Sequence, residues 1–226
     1  RNATIAPTSS ETSLAMRFWT QSLLALICLL GAAPVGLAAD IPPLKNGDIV
    51  FQATSSSARD AIMLASASPY SHVGIVEIDG SGQPMVIEAA NRVRSVPFDD
   101  WMRKGTGRRI TIKRVKGLDD EAAKQAIERA HHYMGRPYDL FFYETRDQIY
   151  CSELVYAAFK EGADISVGRE EKVGDLNIDT AAAQRLIKKR WKAHPLCRAT
   201  SSFKSCYRLI LDQVLVTPAS IARDPQ

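Results

Sequence analysis

The chain has 226 residues, 46% of them hydrophobic and 24% charged, with a formal net charge of +4. Such a composition excludes a largely disordered chain, suits one hydrophobic core rather than two, and carries too little excess charge to name a polyanionic partner. Taken in order, residues 1–15 show no pattern and precede the first Met. From Met16-Arg17 a short basic start leads into an apolar run, Ser22 to Leu30, and then a small-residue exit, Gly36-Leu-Ala-Ala39. That order is the pattern of a secretory signal peptide with cleavage after Ala38 or Ala39, so residues 1–39 are expected to be removed and 40–226 to form a single domain in the periplasm or cell envelope. The run is shorter than the ~20 apolar residues of a spanning helix, and Gly31 and Pro34 break it, so no stable transmembrane anchor is expected. Ile27 before Cys28 does not fit a lipoprotein signal.

Beyond the exit, Gly47-Asp48 introduces a short strand, Ile49 to Gln52, and the Ser-rich stretch Thr54 to Ser57 leads into an amphipathic helix, Ala58 to Ala65. Ser71 to Ile78 and Pro84 to Ala89 read as strands joined by Asp79-Gly-Ser-Gly82, a hairpin. A loop holding Pro97, Trp101 and Gly105-Thr-Gly107 then precedes a strand over Arg109 to Val115. The second half is mainly helical: Asp119 to Tyr133, closed by Gly135 and Pro137; Cys151 to about Lys160; and Thr180 to Lys192, followed by an apolar closing segment, Tyr207 to Val216. Strands early and helices late indicate an α+β fold.

Loss of residues 1–39 leaves three cysteines. Cys197 and Cys206 lie close together in a loop-like stretch and form the natural disulfide pair in an oxidising compartment, which leaves Cys151 odd. Cys151 opens a helix, where unpaired N–H groups and the positive end of the dipole favour thiolate over thiol. A buried, inert cysteine would read the same way, so a base has to be found. His131 and His132 are adjacent on one helix, about 100° apart, and cannot both face one site; His194 precedes Pro195 in a basic loop.

His72 is the stronger candidate because of the hairpin. Paired residues in an antiparallel ladder share a constant index sum; a turn centred on Gly80 sets Glu88 directly opposite His72, and one centred on Ser81 sets the two diagonally on one face. An odd sum would separate them, and an ordinary cross-strand ion pair is the plainer alternative. Gly74 leaves space beside the ring. There is no metal-ligand spacing, Gly-rich phosphate loop or Gly-x-Ser-x-Gly elbow, so neither a metal nor a cofactor is expected. The basic cluster Lys188 to Lys192 reads as a solvated helix end or an anionic-surface patch, and export argues against nucleic acid.

The series Gly47-Asp-Ile-Val-Phe-Gln52, Ser71-His-Val-Gly-Ile75, Val86-Ile-Glu-Ala89, Pro97-Phe98 with Trp101, Gly135-Arg-Pro-Tyr-Asp-Leu140 and Tyr150-Cys-Ser-Glu-Leu-Val155 resembles the YiiX/YebB-like family, circularly permuted relatives of the NlpC-type cell-wall peptidases among the papain-like cysteine hydrolases. The resemblance implies a permuted papain-like fold, with a cysteine-bearing helix packed on an antiparallel, barrel-like sheet bearing the histidine. By matching motifs it implies Cys151 as nucleophile, His72 as base and Glu88 as the group that orients it. Tyr138 and Asp139 either line the substrate cleft or merely close a helix. The expectation is an exported thiol hydrolase that cleaves an amide bond, in cell-wall or other peptides by analogy of fold. A lipid acyl hydrolase or acyltransferase is the second reading, and a non-catalytic envelope-binding module the third. An apolar cleft would favour the acyl substrate, a polar groove with Arg or Lys the peptide.

Overall fold

Strands β1 (Ile49–Thr54), β2 (His72–Ile78) and β3 (Pro84–Ala89) alternate their side chains between two apolar layers, as half-buried pleated segments must. Ile49, Phe51, Val73, Ile75 and Ile87 face one core, while Val50, Val76 and Val86 face the other. The computed structural model describes residues 41–226 apart from Ser57, Glu144 and Arg146, so the segment read as a signal peptide, and the export and removal expected of it, lie outside the described residues. With β4 (Val93–Pro97) and β5 (Gly105–Lys113) the strands make a five-stranded sheet in the order β4-β3-β2-β1-β5, every neighbour antiparallel.

The stretch expected to be a loop before Arg109 is instead β4, the helix α2 (Phe98–Lys104) and the start of β5. Val93-Arg-Ser-Val-Pro97 is short and ends in proline, which weakens its alternation as a signal, yet it pairs residue for residue with β3. Phe98 and Trp101, one turn apart, are buried on the second face of the sheet, and Asp99 and Asp100 at the start with Arg103 and Lys104 at the end suit the helix dipole.

The first face is covered by α3 (Asp120–His132) and α4 (Cys151–Ala163), whose apolar stripes Ala123-Ala126-Ile127-Ala130 and Leu154-Val155-Ala158-Phe159 are buried. Helix α1 (Arg59–Ala65) packs against α5 (Ala181–Arg190), which shares a separate small core with α6 (Phe203–Asp212) built around Val173, Ile178, Ala183 and Ile210. The Cys197–Cys206 bridge lies in this core, Cα atoms 4.9 Å apart; Cys206 sits on α6 rather than in a loop. The expected closing segment divides into the end of α6 and β7 (Val214–Val216), which pairs with β6 (Glu170–Lys172) before α7 (Pro218–Arg223). No helix among the described residues is long and apolar enough to cross a membrane.

Candidate active site

The hairpin pairs Ile75 with Ile87 and Val76 with Val86, the diagonal of the two same-face registers. Continued toward the start of β2, it sets Gly74 across from Glu88 and His72 one step beyond. Gly74 is what keeps this corner open: a Cβ there would come within 2.5 Å of a Val86 methyl and 2.9 Å of the Ile87 carbonyl oxygen. Glu88 reaches along the diagonal, and its Oε2 lies 2.6 Å from His72 Nε2. Its other oxygen accepts from Arg94 Nε at 2.9 Å and Nη2 at 2.7 Å, Arg94 standing opposite Glu88 on β4. The His72 ring is stacked on Trp101 of α2, centroids 6.1 Å apart. With Nε2 held by the carboxylate, Nδ1 is the ring atom left for a partner on the other side.

That partner is Cys151, the first residue of α4 and the only free cysteine among the described residues. Its sulfur is hydrogen-bonded to His72, to the Val73 backbone N–H and to the Tyr138 hydroxyl. Burial alone pushes the thiol up, but the His72 bond and charge, with the Val73 and Tyr138 donors, outweigh it and hold the thiol below its ordinary value. Burial also pulls His72 down, and is overcome by the hydrogen bonds and charges of Cys151 and Glu88, which lift it to about 10. Glu88 is driven down to about 2: burial opposes this, but the bonds and charges of His72 and Arg94 prevail. Tyr138 is pushed well up by burial and the sulfur's charge, so it stays a donor. The arrangement therefore favours a thiolate paired with an imidazolium.

The residues beside the sulfur are clamped. Glu153 accepts from the Tyr150 N–H at 3.2 Å, the return arm of a capping box. Tyr150 Oη accepts from the Val216 N–H at 3.0 Å, and Ser152 Oγ donates to the Val216 carbonyl at 2.8 Å, which ties both neighbours of Cys151 to β7. A cavity of about 130 Å³ meets the sulfur, walled by apolar side chains such as Phe142, Leu186, Ile187, Ile210 and Leu215. Leu140 is 52% exposed and marks its mouth. Arg190, the one Lys or Arg among the described residues that lines it, donates to the Leu140 carbonyl and lies 5.9 Å from the Phe142 ring.

Of the sequence-derived residues, His72, Glu88, Cys151 and Tyr138 meet at one place. Asp139 does not line the cavity: its oxygens accept from the backbone N–H groups of Phe141 and Tyr143, so it shapes the loop. His131 is exposed and bonded to Glu77, and His194 is buried at the far wall, where burial lowers it. Arg94 is not singled out by the sequence analysis, which assigns no strand to Val93–Val96; the charge opposite Glu88 in a continued β-meander is the available signal.

The family model for the permuted papain-like amidase enzymes, YaeF/YiiX, C92 family, matches residues 43–226. The chain belongs to that family. The permuted papain-like amidase is a cysteine hydrolase of α+β fold, as the five-stranded antiparallel sheet and its packed helices bear out. The chain is 29% identical over 183 residues to the uncharacterised protein YiiX of Escherichia coli (strain K12), covering 80% of this chain and 83% of that one. It also resembles the crystal structure titled metalloprotein yiiX from Escherichia coli O157:H7, with a TM-score of 0.71, 29% identity, and 80% of this chain and 93% of that one covered. In this permuted papain-like amidase no group of three His, Cys, Asp or Glu side chains that could hold a metal ion occurs among the described residues. Both Glu88 oxygens are committed, one to His72 and the other to Arg94.

Proposed function

We infer that the protein is an exported cysteine amidase that hydrolyses amides whose acyl part is an aliphatic chain. The apolar cavity at Cys151 carries this reading: a cell-wall peptide would call for a groove of polar and charged groups, and here, among the described residues, Arg190 is the one Lys or Arg on walls that are mainly hydrocarbon. The Cys197–Cys206 bridge, of a kind that persists in oxidising compartments, supports export together with the pattern of residues 16–39.

The Cys151 thiolate attacks the acyl carbonyl carbon, and the first-turn N–H groups of α4, which have no intrahelical acceptor, face the developing oxyanion. His72 imidazolium gives its proton to the departing amine nitrogen as the C–N bond breaks, leaving a thioester on Cys151. Water then attacks the thioester, His72 takes its proton, and the carboxylic acid leaves as the thiolate is restored. Glu88, itself fixed by Arg94, holds the ring with Nδ1 toward the sulfur.

The cavity sets the chain length. Its ~130 Å³ is close to the ~150 Å³ of an apolar cavity that takes up benzene, so it accommodates about six carbon atoms. Across a series of N-acyl amides with one leaving amine, kcat/KM should rise about fourfold per added methylene, the value of ~0.8 kcal/mol per buried CH2, and level off near six carbons. A flat series, or a preference for polar peptide amides over all of them, rejects the acyl reading; turnover that survives Cys151→Ala rejects the thiol mechanism.

A further inference from the structure

Charge is segregated along this chain. Between Thr180 and Leu211 stand Arg185, Lys188, Lys189, Arg190, Lys192, Arg198, Lys204 and Arg208, eight cations with no Asp or Glu among them, whereas the rest of the chain has 21 basic against 25 acidic residues. On α5 the spacing is regular. Arg185, Lys188 and Lys189 recur at i, i+3 and i+4, Lys192 continues the row in the next turn, and all four are exposed. The opposite side of the same helix, Ala183, Leu186, Ile187 and Arg190, lines the cavity. No ion pair to any of Arg185, Lys188, Lys189, Lys192, Arg198, Lys204 and Arg208 occurs among the described residues. A solvated helix end accounts for one or two such cations but not for an acid-free stretch of eight.

Arg190 is the cation of this lobe that lines the cavity. Exposed Leu140 is tied to Arg190 at the last turn of α5, between Lys188-Lys189 and Lys192. A half-buried aromatic group adjoins it: Trp191 packs on Phe203 at 5.9 Å and Phe203 on Tyr207 at 5.6 Å, with Lys192 Nζ 5.9 Å from the Trp191 ring. Exposed cations with Trp and Tyr beside them match the chemistry of a bilayer surface, where anionic headgroups lie above acyl chains.

We propose that the 180–211 lobe docks the enzyme on an anionic phospholipid bilayer, with the exposed row Arg185, Lys188, Lys189 and Lys192 against the headgroups. Nucleic acid fits less well, because the aromatic rings pack on one another instead of forming a free stacking platform. The inference rests on the acyl-amide reading only for its purpose, and it is tested apart from it.

The probe is co-sedimentation of the Cys151→Ala protein, which performs no chemistry, with phosphatidylcholine vesicles that contain or lack phosphatidylglycerol. Binding is expected only to the anionic vesicles and should fade as salt is raised. Replacing Arg185, Lys188 and Lys189 together by Gln should weaken it about 100-fold, near fivefold for each surface cation removed. In the otherwise wild-type enzyme the same triple substitution should leave hydrolysis of a soluble short-chain amide unchanged, which also reports that it folds. Equal binding to neutral vesicles, no binding to either, an unaffected triple variant, or displacement from anionic vesicles by RNA at equal charge would each overturn the proposal. A protein that binds the vesicles yet cleaves no acyl amide keeps the docking surface and loses the substrate reading.

Discussion

Replacing Glu88 by Gln tests the site at the group that sequence spacing supports least directly. The side chain is 3% exposed and its Oε2 lies 2.6 Å from His72 Nε2, so the substitution removes a buried, charge-assisted hydrogen bond while it keeps the shape. Such a bond contributes about 1.5–3 kcal/mol, which equals about one to two pH units in the imidazolium's titration and about 10- to 150-fold in rate. In the native protein the thiolate–imidazolium pair persists until His72 loses its proton near pH 10, so kcat/KM should hold a plateau at neutral pH and fall on the alkaline side there. In Glu88→Gln that limb should move to about pH 8–9 and the plateau should drop at least about tenfold. Iodoacetamide labelling of Cys151 across the same pH range reads the thiolate directly, without reference to any substrate, and its acid limb should move up in the variant. Arg94 loses its partner, but it is 39% exposed and rehydrates at little cost, so the fold should survive. An alkaline limb that stays near pH 10 with kcat/KM within about twofold of native would show that Glu88 does not hold the imidazolium, and the triad argument would fail.

Other consequences are measurable without a substrate. His72 is raised from 6.5 to about 10, so its contribution to stability is complete below about pH 6.5 and is lost as pH rises through 10; Glu88, lowered from 4.5 to about 2, contributes above about pH 4.5 and loses this as pH falls through 2. Cys151, lowered from 9.0, acts in the opposite sense and offsets His72 between about pH 6.5 and 9, so Tm should hold to about pH 9 and decline as pH rises through 10. Gly74→Ala forces a methyl to within 2.5 Å of Val86 and should cost about 1–3 kcal/mol in urea unfolding, with a loss of activity as β3 and Glu88 are pushed aside. Replacing Cys197 and Cys206 together by Ser opens a loop of sequence separation 9, and the chain-entropy value for so short a loop is about 2.5 kcal/mol; a urea midpoint unaffected by the change, or by reductant in the native protein, contradicts that figure.

What the sequence made legible follows from how local each signal is. The His72–Glu88 pair could be anticipated because an antiparallel hairpin admits few registers, and the turn residues Asp79 to Gly82 narrowed them to two. Cys151 was marked by its place at a helix start, but its approach to His72 is a contact across 79 residues of sequence, and only the family resemblance bridged that gap before the structure did. Strand β4 and helix α2 were missed because Pro97 joins two short elements whose stability comes from pairing with β3 and from burial of Trp101, neither visible within a local window. The cavity was not legible at all. Its walls come from α1, the 138–142 loop, α5, α6 and β7, each an ordinary amphipathic segment when read singly.

The grip of Val216 on Tyr150 and Ser152 links two parts of the chain that leave the ribosome far apart in time. A product cut short before Val216 would carry every reacting atom of the site but lack both of these bonds to the sulfur's neighbours. The nucleophile's seat is thus closed by a strand that is synthesised 64 residues after Ser152.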